Sequence, residues 1–298
     1  MLIAPQATID IKSTNVSEYE ADIDVYDELA SKVYAVDELT QLGDTVWKCL
    51  KATTQDITPG TNNLIWKAER KTNRYKIFDP RRSYSTINAQ SIKYTLNVGD
   101  VDTVAFFGIQ AKFIKIVVKD ANGDERYNHT IEATVRPVSN WYDWTYVKAQ
   151  RRAAVHFTKL PMIYNATMEV TIDNDLADAK CTHMAFGTSM DWGITLINPS
   201  PTLGTRNLIS KSKESDGSVK TDNSLTWKRI TANVLVDNER VDSVFELVEI
   251  YNGVPCLFIV DEREKGFSSL LVYGFFKDFD IPIGYQMSEY QIEIEGVS

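Results

Sequence analysis

The chain of 298 residues has only three cysteines and three histidines, and no apolar run approaching the length of a membrane span. Cys49, Cys181 and Cys256 lie far apart without a C-x-x-C pair, which excludes a zinc knuckle or a dithiol redox motif and predicts buried, reduced thiols in a protein made in a cytoplasm. His129, His156 and His183 show no H-x-H or H-E-x-x-H spacing that would set two rings on one metal. No G-x-S-x-G, Walker A or G-x-G-x-x-G motif appears, and the acidic stretch around Asp173, Asp175 and Asp178 lacks the ordered spacing of a calcium loop. The start of the chain lacks the basic and long apolar regions of a secretory signal. The expectation is therefore a chain without enzymatic activity, metal or cofactor, and without membrane insertion.

Positive charge is also short. Lys and Arg number 32 against 41 Asp and Glu, a net of −9, which argues against a surface that neutralises a phosphate backbone and so against specific nucleic-acid binding. The charge is segregated. Residues 1–40 carry nine acidic groups and two basic ones, whereas residues 67–82 carry seven basic groups and two acidic ones. An acidic N-terminal arm over 1–36 could lie on that basic patch, in its own or a neighbouring subunit.

Strand signals dominate what is present. Between Ser91 and Val98, apolar Ile92, Tyr94, Leu96 and Val98 alternate with polar residues, and residues 167–172 repeat the pattern. Residues 113–118 lead to Asn122-Gly123, a dipeptide that tolerates positive φ and so favours a hairpin back through 127–135. These runs predict an antiparallel β-sandwich over 76–196. After the Asn198-Pro199-Ser200-Pro201 breaker and a polar stretch at 211–223, strands resume near 225–236, 257–260, 270–276 and 290–294. Between them Val241, Val244, Phe245, Val248 and Tyr251 form one face of a helix over 238–251, with Asp237 as N-cap and Asn252-Gly253 as stop. The fold class expected is mainly β: a small aromatic module over 37–75, the sandwich, and a β-barrel-like C-terminal unit over 197–298 with one packed helix.

Two aromatic groups stand out. Tyr34, Trp47 and Trp66 could either form a tiny core or present ring faces that stack on a sugar. Trp141, Tyr142 and Trp144, with Tyr146, are too dense for one strand face, so part of the group must meet solvent or a partner.

These residues carry a resemblance. Gly43-Asp44-x-Val46-Trp47 followed by Pro59 and Trp66 resembles the short carbohydrate-binding modules of chitinases. The run Thr72-Asn73-Arg74-Tyr75-Lys76-Ile77-Phe78-Asp79 and the strands after it resemble a galactose-binding-like sandwich of bacteriophage tail proteins. The C-terminal text, including Arg240-Val241-Asp242, Pro255-Cys256, Leu271-Val272-Tyr273-Gly274-Phe275-Phe276 and Glu293-Ile294-Glu295-Gly296, looks like tail proteins of the distal-tail or baseplate-hub kind. The resemblance implies a structural virion protein, assembled in the host cytoplasm, that forms a homo-oligomeric ring and joins the tail tube to hub, fibres and other host-recognition components. It implies glycan contact at Tyr34, Trp47 and Trp66. Interfaces are expected at Trp141, Tyr142, Trp144, Tyr273, Phe275 and Phe276. Glu289, Glu293 and Glu295 are expected to serve as edge gatekeepers or as a negative wall around a central channel. The alternative expectation is a stand-alone carbohydrate-binding protein that recognises a host receptor.

Overall fold

In the computed structural model, the described residues are 1–27, 32–52, 57–81, 84–135, 140–146, 150–207, 211–213, 219–221, 226–263, 267–277 and 280–297. The chain is mainly β, and the middle third is an antiparallel sandwich. One sheet runs in the order Glu125–Glu132, Phe113–Lys119, Ala166–Asp173, Ser91–Val98, Ile11–Thr14; the facing sheet runs Ala154–Phe157, Thr103–Phe107, His183–Gly187. The alternation read in Ser91–Val98 appears as alternating burial, with Ile92, Tyr94 and Leu96 turned inward. They meet Ile114, Ile116, Met168 and Val170 of their own sheet and Phe106, Met184 and Phe186 of the opposite one. Each such fully buried side chain contributes about 1.5–3 kcal/mol by leaving water. The hairpin at Asn122-Gly123 forms as expected, with Gly123 at φ +91° and Asp120 Oδ1 accepting from the Asn122 and Asp124 amides.

The three-stranded sheet is buried on both faces. Val104 and Phe106 point into the sandwich core, while Ala105 and Phe107 point the other way, onto Leu257, Ile259, Leu271 and Tyr273 of the C-terminal unit. Uninterrupted apolar text in Thr103–Phe107 follows from that middle position.

The C-terminal sheet runs Met190–Asp191, Leu2–Pro5, Cys256–Ile259, Leu271–Phe276, Met287–Gly296, Thr226–Asp237, Ile194–Thr195, with Thr202–Asn207 also paired to Thr226–Asp237. Both ends of this path come from one short stretch, 190–195, so the sheet curls without closing into a barrel. Trp192, between the two ends, is buried against Phe276, and its carbonyl accepts from Tyr290 Oη at 2.8 Å. Residues 190–195, expected within the sandwich, belong to this sheet, which the chain enters just after residue 188. There Gly187 lets the chain pass close to Pro5: a Cβ would stand 2.0 Å from the Pro5 carbonyl oxygen.

A six-residue helix, α1 (Trp141–Tyr146), falls between the paired strands Thr134–Val135 and Gln150–Arg151, and a longer helix, α2 (Val241–Tyr251), packs on the C-terminal core. Val241 and Val244 are buried and Leu247, Val248 and Tyr251 are half-buried, while Phe245 faces solvent, so the packed stripe keeps four of the five residues expected and takes Leu247 in place of Phe245. Asp237 is extended and precedes a 3-10 turn, and Arg240 rather than Asp237 is the N-cap of α2; Gly253 at φ +74° ends the helix. The polar stretch 211–223 lies partly outside the described residues; Lys211–Lys213 and Val219–Thr221 pair as a short hairpin. No helix among the described residues is long and apolar enough to cross a membrane.

The small unit is a sheet of Leu39–Leu42, Thr45–Cys49 and Trp66–Lys71, turned at Gly43 with φ +62°. The N-terminal stretch is not a free arm. Leu2–Pro5 lies inside the C-terminal sheet, Ile11–Thr14 edges the sandwich, and residues 20–24 are sewn to the small unit by buried Gln41. The Gln41 amide donates to the carbonyls of Glu20 (2.8 Å) and Ile23 (2.6 Å) and accepts from the Glu20 amide (2.8 Å).

Candidate functional site

The pairing of Thr134 with Arg151 and Val135 with Gln150 makes the root of a hairpin, and α1 lies between these strands. Asn140 caps it: its Oδ1 accepts the Asp143 amide at 2.9 Å, filling a donor that a helix start leaves empty. All four aromatic rings face solvent, with relative exposures of 83% for Trp141, 68% for Tyr142, 57% for Trp144 and 69% for Tyr146. They touch one another in two pairs. Trp141 and Trp144 meet edge to face at 5.9 Å, and Tyr142 lies 4.9 Å from Tyr146. Six residues are too few to bury a stripe of their own, so the aromatic density seen in the sequence becomes an exposed tip.

Other anticipated interface residues turn inward. Tyr273 is buried against His183, and Phe276 is buried between Trp192 and Phe258. The strand Leu271–Phe276 has a partner layer on each face, which accounts for its unbroken apolar text; only Phe275, past the edge of the junction, is exposed.

The three aromatic residues of the small unit do not form an open platform. Tyr34 and Trp66 are each 1% exposed and meet edge to face at 5.2 Å inside a core with Tyr26 and Cys49. The Trp66 indole donates to the Ile57 carbonyl at 2.8 Å. Buried ring faces cannot stack on a sugar; Trp47, half-buried beside Gly60, is the member that keeps open surface.

Glu289, Glu293 and Glu295 share one side of the strand Met287–Gly296, as the period of two requires. Glu293 meets Arg229 at 2.8 Å and also Lys277 at 2.5 Å, while Glu295 meets Arg206 and Lys277, each at 2.9 Å. Glu289 accepts from Asn233 at 2.9 Å. The face therefore carries as many cations as carboxylates, which corrects the picture of a negative wall. Hydrogen bonds from Lys277 lead the effects that hold the Glu295 carboxyl below its ordinary range.

The segregated charges do meet within one chain. The Glu20 carboxylate takes the Arg70 guanidinium through two nitrogens, at 2.9 and 3.2 Å, and Lys76 at 3.0 Å; Glu18 takes Arg74 at 3.1 Å. Burial pushes Glu20 up, but the hydrogen bonds from Arg70 and Lys76 outweigh it and hold the carboxyl below its usual value. The Arg70 guanidinium also lies 5.0 Å from the centre of the Tyr84 ring.

Cys49, Cys181 and Cys256 are buried thiols outside any disulfide, His183 is buried, and His129 and His156 line a cavity of about 300 Å³ with Glu262. Among the described residues no three His, Cys, Asp or Glu side chains are grouped so as to hold a metal ion. The chemistry on offer is apolar contact at the α1 tip.

No family model and no curated protein matches this chain. Among solved structures, a chain in a crystal structure of reduced XRCC1 bound to the DNA pol beta catalytic domain is similar over 62% of this chain and 98% of that one, at 9% identity and a TM-score of 0.27. A likeness that distant carries no argument.

Proposed function

We propose that this chain is a structural subunit that joins copies of itself into a ring of a bacteriophage tail, at the distal tail, baseplate or collar, and connects the tail tube to host-recognition components. The observation that carries the assembly part of this reading is α1, where four aromatic side chains are held out on a hairpin with their rings in water. Tryptophan and tyrosine are the residues most enriched among interface hot spots, and burying such a tip gives the contact its free energy. The tail assignment rests on the sequence resemblance alone. Catalysis has no part in the reading.

Light scattering on the purified chain, coupled to size exclusion, tests it. A mass of several chains supports the proposal, and the mass of one chain at the highest soluble concentration contradicts it. The stand-alone sugar-binding reading is weaker, because Tyr34 and Trp66 spend their faces on their own core.

A further inference from the structure

The seam between the sandwich and the C-terminal unit holds a cavity of about 610 Å³, a size typical of small-molecule sites. Phe107 and Thr182 wall it from the sandwich, and Trp227, Lys228, Ser268 and Ser269 wall it from the other unit. Seams of this kind are a common place for ligands, because two rigid walls meet there without filling the space between them. The chemistry of this cavity is one-sided. Among the described residues that line it there is no Asp, Glu or His, and Lys228 is the one charged side chain, in a chain whose net charge is −9.

The polar groups on its walls can all donate. The Lys228 ammonium gives one bond to the Leu271 carbonyl at 3.0 Å, which ties the long side chain beside the cavity. The Thr182 hydroxyl is engaged by Ser85 at 3.0 Å. The hydroxyls of Ser268 and Ser269, both half-buried, have no hydrogen-bond partner among the described residues, and the buried indole N–H of Trp227 has none either. Buried polar groups in folded proteins are nearly always paired, so unpaired donors grouped around one cavity mark a place for an acceptor. Phe107, Leu271 and Val297 supply apolar surface beside them.

We propose that this cavity binds a small organic anion, a carboxylate carried on a six-membered ring, with the carboxylate at Lys228, Ser268 and Ser269 and the ring against Phe107 and Trp227. An ionised carboxylate only accepts, and its bonds from an ammonium and from hydroxyls are charge-assisted. One lysine balances one carboxylate, whereas a phosphate group with about two negative charges would keep an unbalanced charge in a half-enclosed space. A uronic acid sugar and an aromatic acid both present this chemistry. Because the two walls belong to different units, a bound anion stabilises the joined arrangement by mass action. The inference goes beyond the assembly reading and does not depend on it.

Saturation-transfer NMR on the full chain tests it, with sodium glucuronate and sodium benzoate as probes and glucose and benzyl alcohol as their uncharged counterparts. At least one of the two anions is expected to bind saturably and to raise the melting midpoint. Its counterpart is expected to bind about tenfold more weakly, the worth of one charge-assisted hydrogen bond. Binding of glucuronate alone makes the ligand class a sugar acid, and binding of benzoate alone makes it an aromatic acid. Two variants place the site. Lys228→Met removes the charge, Ser269→Phe puts a ring into the space, and each is expected to abolish binding; where Lys228→Met fails to fold, Ser269→Phe decides. Both variants keep the exposed rings of α1, so a loss of binding in them assigns the probe to the seam. The inference is overturned if neither anion binds, if the uncharged counterparts bind as well as the anions, or if binding survives Ser269→Phe. None of these results alters the oligomeric mass on which the assembly reading stands, so the two can fail separately.

Discussion

The ring of His183, on the last strand of the sandwich's inner sheet, lies 4.4 Å from the ring of Tyr273 in the middle of the C-terminal sheet. This contact joins two β-units, and Phe107, the cross-strand neighbour of His183, stacks on the same histidine at 6.2 Å. Tyr273→Ala removes a buried ring at this junction and is expected to cost about 3–5 kcal/mol in urea unfolding. A loss under about 1 kcal/mol would mean that the junction carries little of the stability.

Alkali should weaken the same region. Burial pushes the Tyr273 phenol and the Cys256 thiol each up to about 12, while unfolded tyrosine and cysteine ionise near 10 and 8.5. Their folded values are raised, so the stability they contribute is complete below the unfolded values and is lost as pH climbs toward about 12. The urea midpoint is expected to fall across that window, and to fall less in Cys256→Ala than in the unaltered chain. A flat midpoint would contradict the assignment.

At acid pH the Glu20 cluster contributes. Its carboxyl is held low by Arg70 and Lys76 against the cost of burial, so its contribution is present above the unfolded value of about 4.3 and is lost as pH falls through the depressed folded value. Glu20→Gln leaves two largely buried cations without their carboxylate and is expected to cost about 3 kcal/mol near neutrality. Because the variant has already lost that term, its stability should depend less steeply on pH in the acid limb. Equal acid slopes in the two proteins would argue against the pairing.

Truncation tests the placement of the N-terminus. Removing residues 1–14 deletes a strand paired on both sides in the C-terminal sheet and the edge strand of the sandwich. The truncated chain is expected to be insoluble or to lose its cooperative melting transition. A folded, soluble product would contradict the sheet order.

Exposure of the tip can be read by quenching. Trp66 and Trp192 are buried, whereas Trp141 and Trp144 are open to water. Diluted to single copies, the unaltered chain is expected to be quenched efficiently by iodide, and Trp141→Phe with Trp144→Phe should remove most of the accessible fraction of the fluorescence.

What the sequence made legible followed period and charge. Ser91–Val98 alternates because one face is wet, and the hairpin at Asn122-Gly123 follows from the φ that glycine tolerates. The opposed charge blocks anticipated the contact of Glu18 and Glu20 with Arg70, Arg74 and Lys76. Thr103–Phe107 and Leu271–Phe276 gave no period, since layers on both faces remove the polar half of the pattern. The role of Leu2–Pro5 was hidden because its partner Cys256–Ile259 lies some 250 residues away. At the candidate site the density of Trp141–Tyr146 was visible in the text, and its helical form was not.

The claim that this chain works by joining copies of itself is tested most directly by negative-stain images of the purified protein. Closed circles of repeated subunits, absent from images of a Trp141→Ser, Trp144→Ser variant, are the expected result. Fields of single, separate particles at every concentration would contradict the account.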